Sequence, residues 1–354
     1  MLNVPFSMVI YFMLFSLVLP VLSIFNFAVS NQTLANYDGF GYFKAYLFLS
    51  LIFILFTENI DLTRTLSVIL TLLSMAMIAI LFVVKYKIVD GLAVWDFGEQ
   101  YGMLGGSMRS YGGYDYLTVD IYTSPLLVIP IAYFTYQFMK KKGFAKMGAM
   151  FILFVNVFAM FIVGTRSSIM LCVLTPLATW FTYTKKKLFV ISILFVFLII
   201  VSVLIKDVLL DALSMKESSN ALKISFLNDY SVVFESLKNL LVGQGLGARF
   251  YVAGRGQYLS IVELTYVELI RNYGLIFSVF YFVMLAYPFI RYKAYYSARY
   301  LLVAYASYLL IGALNPLIFS STGMLILSIV LCKAFKSAPL EKEAPNSNQL
   351  PVRC

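Results

Sequence analysis

The chain contains no histidine. That single absence removes His-based general acid–base catalysis, His-containing metal sites and Ser-His-Asp triads together. Cysteine is almost as scarce, with three in 354 residues. Cys172 and Cys332 fall in apolar runs and Cys354 is the last residue. None lies in a long polar segment, so neither a disulfide framework nor a Cys/His zinc site is available. Nothing follows Cys354, which therefore does not fit a prenylation box. Charged residues make up only 12% of the chain, and its 17 carboxylates nowhere gather into a cluster that would hold a cation. No metal and no cofactor is expected. Catalysis, if there is any, falls to carboxylates, arginines, tyrosines or backbone groups.

What the sequence has in excess is apolar surface, 61% of its residues. That balance excludes a soluble domain of this length. Runs near the ~20 residues needed to cross a bilayer recur along the chain. About ten are expected, at 5–28, 42–57, 66–84, 123–139, 147–164, 168–183, 188–205, 274–290, 300–313 and 317–332. Unsatisfied backbone groups are too costly in lipid, so these spans must be helices. The expected fold is an all-α, polytopic integral membrane protein, with one transmembrane domain over 1–336 and a disordered polar tail over 337–354. The first span lacks a basic leader and a small-residue cleavage site, and reads as an uncleaved helix. Asn31-Gln32-Thr33 matches a glycosylation sequon, a tripeptide common by chance.

The formal charge of +10 suggests nucleic acid until the positions of the charges are considered. The tightest clusters are Lys140-Lys141-Lys142, Lys185-Lys186-Lys187 and Arg291 to Arg299, all in short connections between spans. Retention of positive residues in short cytoplasmic loops explains them without a nucleic-acid partner. The same rule puts both termini in the cytoplasm and two long loops, 85–122 and 206–273, on the opposite face.

Those loops hold the unusual sequence. Loop 85–122 carries Trp95, the run GMLGGSMRSYGGYDY and its lone arginine, Arg109. Glycines permit tight turns and tyrosines offer flat faces with a hydroxyl, which suits a sugar-contacting surface. The same composition also suits a loop packed at the membrane interface, where Tyr and Trp are enriched. In loop 206–273, Val233, Leu237, Leu240 and Leu241 repeat at helical spacing within 229–241, predicting a helix along the membrane surface or against the bundle. Gly243, Gly245 and Gly247 then stop it. The segment GQGLGARF superficially matches a dinucleotide fingerprint, but no βαβ context surrounds it. A second helix is expected from about Ile261 through Gly274 into the next span.

Four features could carry chemistry. Arg166, in VGTRSSIM, sits on a short turn between two spans with no acidic residue near it in sequence. Its planar fork of donors suits phosphate oxygens, and the bland alternative is an arginine snorkelling to headgroups. Arg249 and Arg255 lie among small and aromatic residues in ARFYVAGRGQY. Glu268 and Arg271 are three apart on the expected helix and can pair on one face. Glu263 has no charged neighbour at i+3 or i+4, and is either a candidate general base beside aromatic rings or a hydrated loop residue.

On two regions the chain resembles the O-antigen polymerase and O-antigen ligase superfamily of bacterial envelope glycosyltransferases. VGTRSS around Arg166 is similar to the small-residue-arginine-serine turn opening a mid-chain span of that family. LVGQGLGARF followed by ELTYVELIRNYGLIF is similar to its glycine-rich segment and loop-to-helix motif. Family ligases carry a histidine and a polar residue, nine variable positions, then a glycine and, three further on, a small or aromatic residue. Here Glu263 stands at the histidine position, Leu264 replaces the polar residue, and Gly274 and Phe277 keep the spacing. With no histidine, the departure favours a polymerase over a ligase. The resemblance implies a glycosyltransferase-C-like architecture, a long periplasmic loop before the last three spans, and a bacterial inner-membrane location. It implies an undecaprenyl-diphosphate-linked oligosaccharide as substrate, membrane lipid as surroundings and a chain-length regulator as partner. Its periplasmic arginines map to Arg166, with Arg249, Arg255 and Arg271 as further diphosphate contacts; Arg109 of the first loop is a separate substrate-binding candidate. A flippase for the same lipid-linked sugars is the competing expectation.

Overall fold

The computed structural model describes residues 4–31, 39–101, 104–111, 114–185, 187–188, 192, 218–313 and 315–336. The span expected at 188–205 lies almost wholly outside these residues, as do Gln32 and Thr33 of the sequon, the stretch 206–217 and the polar tail.

The described residues are mostly helical. Four helices are long and apolar enough to cross a membrane: α1 (Phe6–Val29, with a π turn at Met13–Val18), α4 (Leu62–Lys85), α7 (Gly143–Ile162) and α11 (Thr265–Ile290). Shorter apolar helices pack among them: α2 (Gly39–Leu47) running on through a 3-10 turn into α3 (Leu51–Thr57), then α6 (Val128–Lys140), α8 (Arg166–Tyr183), α12 (Arg299–Ala313) and α13 (Ser321–Lys336). This architecture is compatible with a membrane protein.

The helices begin where side chains can satisfy orphan N–H groups. Asp61 accepts from the Thr63 amide at 3.0 Å ahead of α4, and Thr165 from the Ser168 amide at 3.2 Å ahead of α8. Polar residues inside the apolar helices are satisfied locally. Ser67, Thr71, Thr135, Thr179 and Ser328 each donate to the carbonyl four residues back, at 2.7–2.8 Å. Asn156 on α7, fully buried, donates to Thr71 Oγ1 and accepts from Ser74 Oγ, each at 3.0 Å, which ties α7 to α4. Buried tyrosines brace helix to helix through their hydroxyls: Tyr11 to the Met284 carbonyl, Tyr281 to Phe15, Tyr305 to Leu285 and Tyr295 to Val330.

These contacts sort the bundle into two ends. At one, Tyr136 near the end of α6 lies 4.7 Å from the Tyr183 ring closing α8 and 5.1 Å from the Tyr300 ring opening α12. The described residues of the three basic clusters, which follow or precede these residues, therefore gather there. Lys336, at the end of α13, joins them by bonding the Leu55 carbonyl and Asn59. Thr175 donates to Ser307 at 2.9 Å further along, so α8 and α12 run antiparallel. Arg166 is carried to the far end, where Thr265 at the start of α11 bonds the Asn315 carbonyl just past α12.

The two long loops differ from expectation. The first is structured: α5 (Gly91–Gln100) is followed by an antiparallel hairpin of β1 (Leu104–Tyr111) and β2 (Tyr114–Ile121), paired from Leu104↔Ile121 to Tyr111↔Tyr114. Trp95 of α5 lies on the hairpin so closely that a Cβ on Gly106 would come within 2.7 Å of its ring. Gly106 thus makes room for Trp95. The second loop is a small subdomain: α9 (Ser218–Phe234), α10 (Leu237–Val242) and a hairpin of β3 (Phe250–Val252) and β4 (Gln257–Leu259). Phe226, Tyr230, Phe250, Val252 and Val262 form a core of its own. The helix expected over 229–241 is interrupted at Glu235–Ser236, because Ser236 caps a new helix through the Asn239 amide.

Candidate functional site

The glycine-rich segment after α10 and the interruption of α11 form one feature. Gly243, Gly245 and Gly247 all hold positive φ, and Gly274 breaks α11 with φ 70° and ψ 170°. The first part of α11 therefore ends at Tyr273, and its last carbonyls need donors. The Gln244 amide supplies one to Arg271 O at 2.7 Å and the Gly245 amide one to Asn272 O at 3.2 Å. Ser23 Oγ of α1 adds a second to Asn272 O at 2.7 Å, while accepting from the Leu246 amide at 2.8 Å. The glycines let the chain pass close enough to cap the half-helix.

Inside this turn sits a buried ion pair. Arg271 is fully buried, stacked over the Phe250 ring at 4.7 Å, and all five of its N–H donors are engaged. Nε reaches Glu268 Oε2 at 3.0 Å; Nη1 reaches Gln244 Oε1 at 3.0 Å and the Ala248 carbonyl at 2.8 Å; Nη2 reaches the Ser260 carbonyl at 2.8 Å and Glu268 Oε1. Glu268 is equally occupied. It also accepts from Tyr230 Oη at 2.6 Å and from Asn272 Nδ2 at 3.2 Å. Burial, and then the adjacent Glu268 carboxylate, push the Tyr230 hydroxyl well above its ordinary pKa. This network stitches α9, the glycine segment and β4 onto α11.

Beside it opens a cavity of about 260 Å³, lined on one side by Thr265, Glu268, Leu269, Asn272 and Tyr273 of α11. The opposite walls are Gly41, Ala45 and Tyr46 of α2 and Pro316, Phe319 and Ser320 of the turn before α13. Tyr46 and Phe319 stack at 5.4 Å, and Tyr273 donates to Tyr46 Oη at 2.8 Å. Asn272 Oδ1 is buried here without a hydrogen-bond partner.

The residues singled out from sequence are distributed around this centre. Arg271 is corrected: expected as a diphosphate contact, it has every N–H spent on the protein itself. Glu263, without a charged neighbour at i+3 or i+4, finds its partners further off: it accepts from Arg255 Nη2 at 3.3 Å and lies 4.0 Å from Lys223 Nζ. It is a third exposed, and Ile261 and Thr265 on either side of it both line the cavity. Arg255 is exposed and Arg249 precedes β3 as an exposed residue. Arg166 is half-buried at the start of α8, on the cavity's end of the bundle. Arg109 lies on β1 opposite Tyr116, away from this centre in the chain and in the sheet order. Among the described residues, no three Cys, Asp or Glu side chains come together as a metal site.

Sequence reasoning passed over Glu268 as a cavity residue, and over Asn272, Tyr230, Gln244, Tyr46 and Tyr273 altogether. One signal was present. Thr265, Glu268, Leu269 and Asn272 follow the i, i+3, i+4, i+7 stripe of a helix, and all but Leu269 are polar where apolar residues are the norm. The partners across the loops, 27 and 38 residues away, leave no such trace.

The fold and site together define a mostly helical protein whose apolar bundle carries a loop subdomain, an internal ion pair and a cavity at one end. No protein-family model, curated protein or solved structure matches this chain.

Proposed function

We propose that the chain is an integral glycosyltransferase of a bacterial inner membrane that polymerises lipid-linked oligosaccharide repeat units. In this reading about ten spans cross the bilayer, the lysine-rich end and both termini face the cytoplasm, and the cavity end faces the periplasm. The observation that carries the reading is the gathering at one end of the cavity, Glu263, Arg249, Arg255 and Arg166, opposite the three basic clusters. No nucleotide sugar reaches the periplasmic face, so the donor is a glycan on undecaprenyl diphosphate and the acceptor a new lipid-linked repeat.

In the transfer, the anomeric carbon–oxygen bond breaks and its electron pair leaves with the diphosphate. The anomeric carbon bonds to an acceptor hydroxyl oxygen, whose proton passes to a carboxylate. Glu263 is the better base. Glu268 already accepts four hydrogen bonds, the capacity of a carboxylate, whereas Glu263 holds Arg255 and Lys223 only from an accessible position. General base catalysis of this kind contributes ~10²–10⁴ in rate. Arg166, Arg249 and Arg255 stabilise the leaving diphosphate. Arg271 acts only by positioning the loop that presents Arg249 and Arg255.

Purified protein supplied with lipid-linked repeats tests the proposal: glycans lengthen in detergent, and do so poorly with Glu263→Gln or Arg166→Lys. Wild-type product lengths from both variants remove the site assignment, and absence of any product from the native protein removes the reaction. The flippase reading draws on the interruption of α11, since transporters bind substrates at broken helices. Here the break at Gly274 is packed against Leu241 and Gly243 and does not line the cavity, which favours transfer over transport.

A further inference from the structure

We infer that the crevice between α6, α7 and α8 at the lysine-rich end holds one phospholipid with a net negative headgroup, its acyl chain in the crevice and its phosphate among the lysines. The inference rests on the apolar bundle lying in a bilayer and is independent of any glycan transfer.

The crevice has a volume of about 410 Å³, within the ~300–1,000 Å³ typical of small-molecule sites. Phe138 and Met139 of α6, Leu153 and Val157 of α7, and Val173 and Trp180 of α8 line it. Its two other hydrogen-bonding side chains are already spent: Thr135 donates to the Ile131 carbonyl at 2.7 Å and Cys172 to the Ile169 carbonyl at 2.9 Å. Such a wall rewards hydrocarbon rather than water or sugar. Its depth is that of one leaflet. Leu153 and Val157 lie ten and fourteen residues into α7 (153 − 143 and 157 − 143), about 15 and 21 Å from its start at ~1.5 Å per residue. Half of a ~30 Å hydrocarbon core is about 15 Å.

Charge decides which lipid. At the lysine-rich end of the crevice, Lys146 Nζ lies 4.7 Å from the centre of the Phe138 ring, so a cation is held over a lining residue. Lys140 follows Met139 directly and lies over Tyr136 at 5.6 Å, and Lys185 comes just past the end of α8. No Asp or Glu occurs from 121 to 206, so the three helices carry no carboxylate to answer these ammonium groups. Asp61, at the same end of the bundle, lines a separate cavity with Lys333 and Lys336. Retention of positive residues on the cytoplasmic side accounts for lysines in short loops. It does not call for Lys146 inside α7, over the mouth of an apolar crevice. Basic pockets between spanning helices receive anionic headgroups, and Trp180 supplies the amphipathic ring usual at that depth. A zwitterionic headgroup is the poorer match, because its own ammonium would meet lysines.

The test is native mass spectrometry of the full-length protein in detergent, titrated with dioleoyl phosphatidylglycerol or dioleoyl phosphatidylcholine. One phosphatidylglycerol should be retained at concentrations where phosphatidylcholine is not. Lys146→Gln should weaken that binding about fivefold, the worth of one lysine at an anionic lipid surface. Lys293→Gln removes the same charge from the connection between α11 and α12, which lends the crevice no described residue, and should leave binding unchanged. Val173→Phe fills the crevice and should abolish retention of either lipid. Lys146 is exposed, so its variant keeps the test decisive even where Val173→Phe fails to fold. Equal retention of the two lipids, equal losses in the two lysine variants, or full binding by a folded Val173→Phe overturns the site. So does displacement by glycerol 3-phosphate as effective as that by whole lipid, which would mean a headgroup site without the crevice. The two proposals fail separately. Elongation with no retained lipid sinks the lipid site alone, and lipid retention without elongation sinks the polymerase reading alone.

Discussion

Gly243 and Gly274 lie backbone against backbone, 31 positions apart in sequence (274 − 243), with no space for a side chain on either. A Cβ on Gly243 would come within 2.6 Å of the Gly274 nitrogen, and one on Gly274 would overlap the Leu241 carbonyl oxygen. This contact sets how closely the loop subdomain approaches the half-helix that carries Glu268 and Asn272.

Gly274→Ala should therefore destabilise the whole site. Its φ of 70° with ψ of 170° is a region reserved for glycine, at a cost of about 1–3 kcal/mol to other residues. The clash with backbone adds to that, since a carbonyl cannot rotate away as a side chain tip can. Thermal denaturation of detergent-purified protein should show a lower midpoint, whereas Gly41→Ala in open space should show none of this loss.

Glu268 and Arg271 should be more costly to alter singly than together. Removing one partner of a buried pair leaves an uncompensated charge and costs about 3–5 kcal/mol, while apolar replacement of both is often tolerated. Glu268→Leu and Arg271→Met are each expected to destabilise strongly. The double variant Glu268→Leu/Arg271→Met should fall well short of the sum of its parts in a double-mutant cycle. A strictly additive result would mean that the pair does not act as a unit.

Tyr230 links the same network to alkaline pH. Its folded pKa is raised, by burial first and the Glu268 charge second, above the ordinary 10.0 of an exposed phenol. The folded protein then holds a proton that the unfolded chain gives up, so stability is intact below pH 10 and falls as pH rises past it. Tyr230→Phe should lower stability at neutral pH by about 1.5–3 kcal/mol, the worth of a hydrogen bond to a charged group. It should also flatten part of the alkaline decline in denaturation midpoints between pH 9 and about 11. An unchanged pH profile would mean that the phenol is not shielded.

Glu263→Gln should separate activity from stability. The Arg255–Glu263 pair is exposed, and such pairs contribute about 0–1 kcal/mol. The denaturation midpoint should stay near the native value while glycan elongation falls by about 10²–10⁴. Loss of both together would assign Glu263 to the architecture of the loop.

How much of this was legible beforehand depends on how far apart the interacting residues lie. Apolar runs such as 66–84 and 147–164 read directly as helices, because burial in a helix is a local, periodic demand. The pairing of Glu268 with Arg271 is also local, at i and i+3. The hairpin of Leu104–Ile121 was hidden by a glycine- and tyrosine-rich composition, although Gly112-Gly113 between two tyrosine-bearing runs is a two-residue hairpin signature. Asn272 signalled only its place on a helical stripe with Thr265 and Glu268. Its place in the cavity wall depends on Tyr46 and Phe319, contributed by segments that no spacing rule connects.

The orientation of the bundle decides whether the lipid-linked donor is required. Phe144, at the lysine-rich end, is 91% exposed, whereas Tyr122 and Tyr258, at the loop end, are 71% and 66% exposed. Cys172 and Cys332 are buried, so with Cys354→Ser a single added thiol reports on its own surroundings. Tyr122→Cys and Tyr258→Cys should react with a membrane-impermeant maleimide in intact cells whose outer membrane has been permeabilised, and Phe144→Cys only after lysis. The positive-inside rule demands this result, since lysines and arginines in short loops are retained on the cytoplasmic side. The reverse pattern would place the cavity, Glu263 and the exposed arginines in the cytoplasm. Nucleotide sugars are available there, and the case for a diphosphate-linked lipid donor would lose its foundation.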